Sequence, residues 1–179
     1  MRLFIGLPIP TALQNQLERA WEGSPNHPAG KMMKPTLWHV TLAFLDEVPE
    51  ERLSDLIEIV RRSLESPPAG DFSITGFETF PKRKPSRIVA RVEPEDYKAW
   101  EKYALGLRDM LSLVAPNVDR KPWMPHISIT RSLKGTTFPN WEITTGPLKW
   151  TPSEVAVIKS VPGPEGSSYT HQHVFPLHI

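Results

Sequence analysis

Two short runs in opposite halves of the chain constrain its fold more than any other feature. They are Leu37-Trp38-His39-Val40-Thr41-Leu42-Ala43-Phe44 and Pro125-His126-Ile127-Ser128-Ile129-Thr130-Arg131. In both, apolar and β-branched residues alternate with polar ones at a period of two, the pattern of a half-buried strand. On a strand, residues i and i+2 share a face. His39 and Thr41 therefore point to one side, as do His126 and Ser128, while Val40, Leu42, Ile127 and Ile129 form an apolar back. Each strand presents one imidazole beside one hydroxyl. Facing each other across a cleft, two such strands supply two groups that titrate near neutral pH and two hydrogen-bond donors, a set suited to acid–base chemistry on an anion.

The rest of the chain reads as support for these strands. A first strand is predicted over residues 2–7 and a helix over 10–21, with Leu13, Leu17 and Ala20 at helical spacing and Pro10 suited to a first turn. The first motif strand follows over 37–45, after a short edge strand near 31–35. A second helix from Pro49 to Leu64 carries the stripe Leu53, Leu56, Ile57, Val60 and Leu64. Strands are expected at 72–80 and 87–92, joined by the basic loop Pro81-Lys82-Arg83-Lys84-Pro85-Ser86. A third helix over 95–113 turns Trp100, Tyr103, Leu107, Met110 and Leu111 inward. The second motif strand spans 124–131, a loop runs from Gly135 to Asn140, and strands near 143–150, 153–161 and 168–177 complete the chain. Helix, Pro-containing loop and His-hydroxyl strand thus occur once in each half.

Composition removes several function classes. The chain has 179 residues and no cysteine, so disulfides, thiolate metal sites and a cysteine nucleophile are excluded. One compact domain is expected over residues 1–179. The formal net charge is +1, too small for a general nucleic-acid clamp, so any RNA contact must be local. Pro8 and Pro10 break the short N-terminal apolar stretch, which reads as a buried strand and not as a signal peptide. No apolar run is long enough for a membrane span, and a cytoplasmic location is the default. There is no Gly-rich phosphate loop to support ATP- or GTP-dependent chemistry.

The two motifs and their flanks resemble the two-histidine (2H) phosphoesterase superfamily, in its RNA 2′,3′-cyclic phosphodiesterase and 2′-5′ RNA ligase branch. The resemblance includes Arg2-Leu3-Phe4-Ile5-Gly6-Leu7 followed by Pro8, Met33 to Leu45, Lys121-Pro122-Trp123-Met124-Pro125-His126, and the ending Gly166 to Tyr169 with Val174-Phe175-Pro176-Leu177. It departs at Asp46, where the family often has Gly, and at Ser128, where this branch more often has Thr. The resemblance implies an α+β fold of two pseudo-symmetric antiparallel lobes, with helices outside and the active-site groove between them. It further implies hydrolysis of a 2′,3′-cyclic phosphate to a 2′-phosphate.

In that reading His39 and His126 are the catalytic pair, His39 taken as acid and His126 as base, with residue type alone not deciding between them. Thr41 and Ser128 donate to the phosphate, and Arg131 is a candidate phosphate contact. Trp38 and Trp123 are candidate base-stacking residues near the groove mouth. Phe44 is assigned to the core because it shares the back face with Val40 and Leu42. Lys82, Arg83, Lys84 and Arg87 are candidate RNA contacts, although basic loops of this kind are usually just solvated. His171 and His173 form a second alternating pair, read as exposed strand histidines and not as metal ligands, so no metal and no cofactor is expected. The expected partner is an RNA ending in a 2′,3′-cyclic phosphate, or a cyclic nucleotide, and the expected state is a monomer. Two readings compete: a 2′-5′ ligase using the same groups in reverse, and a non-catalytic RNA-binding module.

Overall fold

A computed structural model describes residues 1–135 and 139–178. Its strands are β1 (Arg2–Pro8), β2 (His39–Glu47), β3 (Phe72–Phe80), β4 (Arg87–Pro94), β5 (His126–Ser128), β6 (Trp141–Glu142), β7 (Leu148–Trp150), β8 (Glu154–Val161) and β9 (Ser168–Pro176). Its α-helices are α1 (Thr11–Glu22), α2 (Leu53–Ser63) and α3 (Tyr97–Leu111). One antiparallel sheet runs β2-β1-β8-β9, and the other runs β5-β4-β3-β6 with β7 also on β3. The fold is α+β with two antiparallel sheets, as the alternation and the resemblance imply.

Each half repeats one unit. A strand leads into a helix, and the motif strand then returns antiparallel to that first strand: β1, α1, β2 in one half and β4, α3, β5 in the other. Both motif strands are consequently edge strands. Exposed edges invite pairing with other chains, and here the two edges are covered by each other's surroundings. The β2 carbonyls of Thr41, Leu42 and Phe44 accept from Trp123 Nε1 at 2.9 Å, Arg108 Nε at 2.9 Å and the Asp119 amide at 2.8 Å. The Met33 amide donates to the Ile129 carbonyl at 2.7 Å beside β5. The two halves are stitched together where the motifs lie.

The back faces of both sheets and the inner faces of the helices share one continuous apolar core, which includes Ile5, Val40, Leu42, Phe77, Ala90, Ile127 and Val157. On α1, Leu13, Leu17 and Trp21 are buried, with Trp21 edge-on to Phe77 at 5.3 Å. On α3, Trp100 packs edge-on to Phe72 at 4.8 Å, and the Asp96 side chain caps the helix by accepting from the Ala99 amide.

Several expectations change in detail. Residues 35–37 form a 3-10 turn, and only Met32 bridges to Thr130, so no edge strand spans 31–35. The second motif strand shortens to three residues. Residues 143–150 are broken by a turn at Gly146, whose φ of +94° suits a glycine. Met110 is 39% exposed instead of buried, because α3 turns Ala104 and Arg108 inward with Trp100, Leu107 and Leu111. Of the loop expected over 135–140, residues 136–138 lie outside the described residues.

Candidate active site

β2 does not keep a strict alternation. Its register against β1 slips at Leu42 and again at Leu45, leaving each without a partner. A bulge turns the following side chains onto the other face. Val40, Leu42 and Ala43 are all buried, and Phe44 is returned to the face of His39 and Thr41, where it is half-buried. Asp46 sits just beyond the second bulge with φ +58°. That left-handed conformation favours Gly but tolerates Asp, which accounts for the residue met there.

His39 is clamped on three sides. Its Nδ1 lies 2.8 Å from the Leu37 carbonyl, its Nε2 lies 3.1 Å from the Thr41 hydroxyl, and its ring stacks on Phe4 with centroids 4.6 Å apart. Tyr169 closes the fourth side edge-on at 5.5 Å. Space for the ring comes from Gly6, where a Cβ would stand 3.2 Å from His39 Cδ2. His126 repeats the arrangement: Nδ1 is 2.7 Å from the Met124 carbonyl, and the ring stacks on Phe80 at 4.4 Å. A carbonyl can only accept, so Nδ1 of each ring carries the proton and Nε2 is the basic nitrogen of the neutral form.

Burial keeps both rings neutral. It lowers His39 from 6.5 to about 4, against the pull of the Leu37 carbonyl and with smaller help from His126 and His171. Burial also lowers His126, opposed by the Met124 carbonyl and aided by the positive charge of Arg87.

A cavity of about 540 Å³ lies against His126 and Thr41, walled by Phe44, Phe80, Arg87 and Arg108 among others. Arg87 crosses the Phe80 ring at 5.3 Å, and its Nε is buried without a protein partner. A desolvated cation with an unused donor is the feature of this cavity best suited to an anion.

Trp38, 2% exposed, does not line this cavity, whereas Trp123 belongs to its lining; Trp123 is only 1% exposed and spends its indole N–H on the Thr41 carbonyl, so it is a largely buried part of the wall. Phe44, assigned to the core from strict alternation, lines the cavity, and Phe80, which the sequence did not single out, lines it too. Lys82, Arg83 and Lys84 are exposed in the β3–β4 connection, outside this cavity's lining, whereas Arg87 at the base of that hairpin belongs to it. Ser128 is half-buried on β5. Arg131 lies at the opposite end of the motif strands, donating to the Ser167 carbonyl at 2.9 Å.

His171 and His173 do not share a face. A bulge at Gln172 pairs His173 with Val157 of the core and His171 with Ile158 of the groove side. Among the described residues, no group of three His, Asp or Glu side chains is placed to hold a metal ion. No helix of the described residues is long and apolar enough to cross a membrane.

Residues 7–90 match the family described as LigT-like phosphoesterase. An RNA 2′,3′-cyclic phosphodiesterase of Thermus thermophilus is 29% identical over 183 residues, spanning 99% of this chain and 90% of that protein. One from Thermotoga maritima is 34% identical over 120 residues, spanning 66% and 62% respectively. Among solved structures, a protein of Thermus thermophilus superposes with a TM-score of 0.83 at 28% identity, covering 99% of this chain and 98% of that one. E. coli LigT complexed with 3′-AMP shares the fold with a TM-score of 0.71 at 21% identity, over 98% and 96%. Two antiparallel lobes with a histidine strand from each are the mark of the two-histidine phosphoesterases. Over nearly its whole length the chain is similar to LigT-like phosphoesterases of that class.

Proposed function

We propose that this protein hydrolyses 2′,3′-cyclic phosphodiesters, at RNA ends or in nucleotides, to 2′-phosphates by acid–base catalysis between His39 and His126. The observation that carries the reading is the shared tether. Each imidazole binds a carbonyl two residues back through Nδ1, which leaves Nε2 as its chemically active nitrogen. Two such nitrogens on adjacent edge strands suit an in-line displacement.

One neutral imidazole takes a proton from water as its oxygen forms the new bond to phosphorus. The bond to the 3′ oxygen breaks, and that oxygen takes a proton from the other, charged imidazole. A 2′-phosphate and a 3′-hydroxyl result, and the pair has exchanged one proton. Thr41 and Ser128 donate to the non-bridging oxygens, where charge accumulates. Thr41 turns its hydroxyl from His39 Nε2 to the phosphate, and Arg87 offers its free Nε–H. Both rings are neutral in the free protein at pH 7, so the acid takes up its proton together with the anionic substrate, whose charge raises the histidine pKa. The active unit in this reading is the bilobal chain 1–179 acting as a monomer in the cytoplasm.

The test is turnover of 2′,3′-cyclic mononucleotides, and of a short RNA ending in a cyclic phosphate, in excess EDTA. The expected product is the 2′-phosphate, with His39→Ala and His126→Ala each losing at least about 100-fold in kcat. Turnover that survives loss of His126, or that yields the 3′-phosphate, would refute the assignment.

A further inference from the structure

A second cavity, of about 440 Å³, opens at the other end of the motif strands. The first lies toward Phe44 and Met124; this one is lined by Leu37 and Arg131, which flank the motif strands on the opposite side. Two of its wall residues adjoin the surroundings of His39. The carbonyl of its wall residue Leu37 anchors His39, and its wall residue Ser168 precedes Tyr169, which stands edge-on to the His39 ring.

The lining has two characters. Met32, Met33 and Leu37 form an apolar side, and Lys31, Lys34 and Arg131 bring three cations. Arg131 is held in place: its guanidinium packs over Gly166, where a Cβ would lie 2.4 Å from Cζ, and donates to the Ser167 carbonyl. Gly166 also has φ +104°, a conformation that favours glycine. One carboxylate, Glu165, enters the lining and lies 3.5 Å from Lys31 Nζ, with both side chains largely exposed. An exposed pair of this kind is weakly held and readily exchanged for another anion. The balance at the cavity is three positive charges against one negative. Its volume is in the range of small-ligand sites.

We propose that this cavity is a subsite for the nucleotide that precedes the cyclic-phosphate end of an RNA, its phosphodiester held by Lys31, Lys34 and Arg131 and its sugar resting on Met32, Met33 and Leu37. The inference rests on the function proposed above, and it names the preferred substrate as an oligonucleotide end over a free cyclic mononucleotide.

Binding of the product form tests it without turnover. Affinities of adenosine 2′-phosphate and of a tetra-adenylate ending in a 2′-phosphate are measured by titration calorimetry at two salt concentrations. The tetranucleotide is expected to bind at least about tenfold more tightly, with an advantage that falls with salt. In the double variant Lys31→Ala/Lys34→Ala the ratio of the two affinities collapses toward one, and the salt slope for the tetranucleotide drops by about 1.4, at roughly 0.7 per cation–phosphate contact on a single strand. Glu165→Gln moves the ratio the other way, an effect that a merely destabilised protein does not produce. Equal affinities in the unaltered protein, or a ratio indifferent to these substitutions, would overturn the proposal. A retained ratio without hydrolysis would sink the proposed activity and leave the subsite standing; hydrolysis without the ratio would do the reverse.

Discussion

His126 stacks on Phe80 with ring centroids 4.4 Å apart and planes at 29°, and His39 stacks on Phe4 at 4.6 Å and the same 29°. The two contacts are equivalent in geometry but not in origin. Phe4 stands on β1, directly paired with β2, whereas Phe80 ends β3, two strands from β5. The fold therefore provides each imidazole with an aromatic floor by a different route, and the floor under His126 is one wall of the cavity.

Replacing that wall is the first prediction. Phe80→Ala removes the support of the His126 ring and the apolar surface under Arg87. Misplacement of a reacting group by about 1 Å costs on the order of 100-fold, so kcat/KM is expected to fall by about 10- to 100-fold, and less in Phe80→Leu. Wild-type kinetics in Phe80→Ala would mean that the Met124 carbonyl alone positions His126.

Acid titration of the pair sets the pH profile. The reaction needs one protonated and one neutral imidazole, and kcat/KM reports the free protein. Burial lowers both rings below 6.5, His39 to about 4. The singly protonated pair is thus most populated on the acid side of 6.5, and the kcat/KM optimum is expected there. The profile of kcat shifts upward, because the bound phosphate stabilises the charged ring. An optimum of kcat/KM above pH 7 would contradict the burial of these rings.

Stability follows the same titration with a defined sign. A histidine whose pKa is lower in the folded state binds fewer protons there than when unfolded, so stability is present above 6.5 and is lost as pH falls toward the folded value. For His39 the window runs from 6.5 to about 4 and the loss reaches about 3 kcal/mol. Urea unfolding on either side of this window is expected to show a smaller drop in His39→Asn than in the parent. Equal drops would place the acid sensitivity elsewhere.

Arg108 is the buried tie between the halves. From α3 it donates to the Leu42 carbonyl at 2.9 Å and to the Lys121 carbonyl at 2.7 Å. Arg108→Ala leaves both carbonyls without this donor and opens a gap beside the cavity, and a loss of about 2–4 kcal/mol is expected on denaturant unfolding. Arg108→Lys restores the charge but not the fork of donors and is expected to recover only part of it.

Much of this molecule was legible from local periodicity. The period-two runs located both motif strands and the face shared by each histidine and its hydroxyl, and helical spacing located α1, α2 and α3 within a few residues. The absence of cysteine excluded whole classes of chemistry without any fold. These features depend on residues within a few positions of each other, so the linear chain carries them. Bulges are different, because they arise from how a strand meets its partner. Slips at Leu42 and Gln172 moved Phe44 into the groove and separated His171 from His173, and no residue type marks either position. The burial of Trp38 and Trp123, the stacking of His126 on Phe80 and the second basic cavity each require segments 30 or more residues apart to meet. The sequence by itself determined which chemical groups this protein carries and on which local face most of them lie. Only the tertiary structure decided which aromatic rings reach the groove and how far burial lowers the histidines, because desolvation and contact are properties of what surrounds a residue in space.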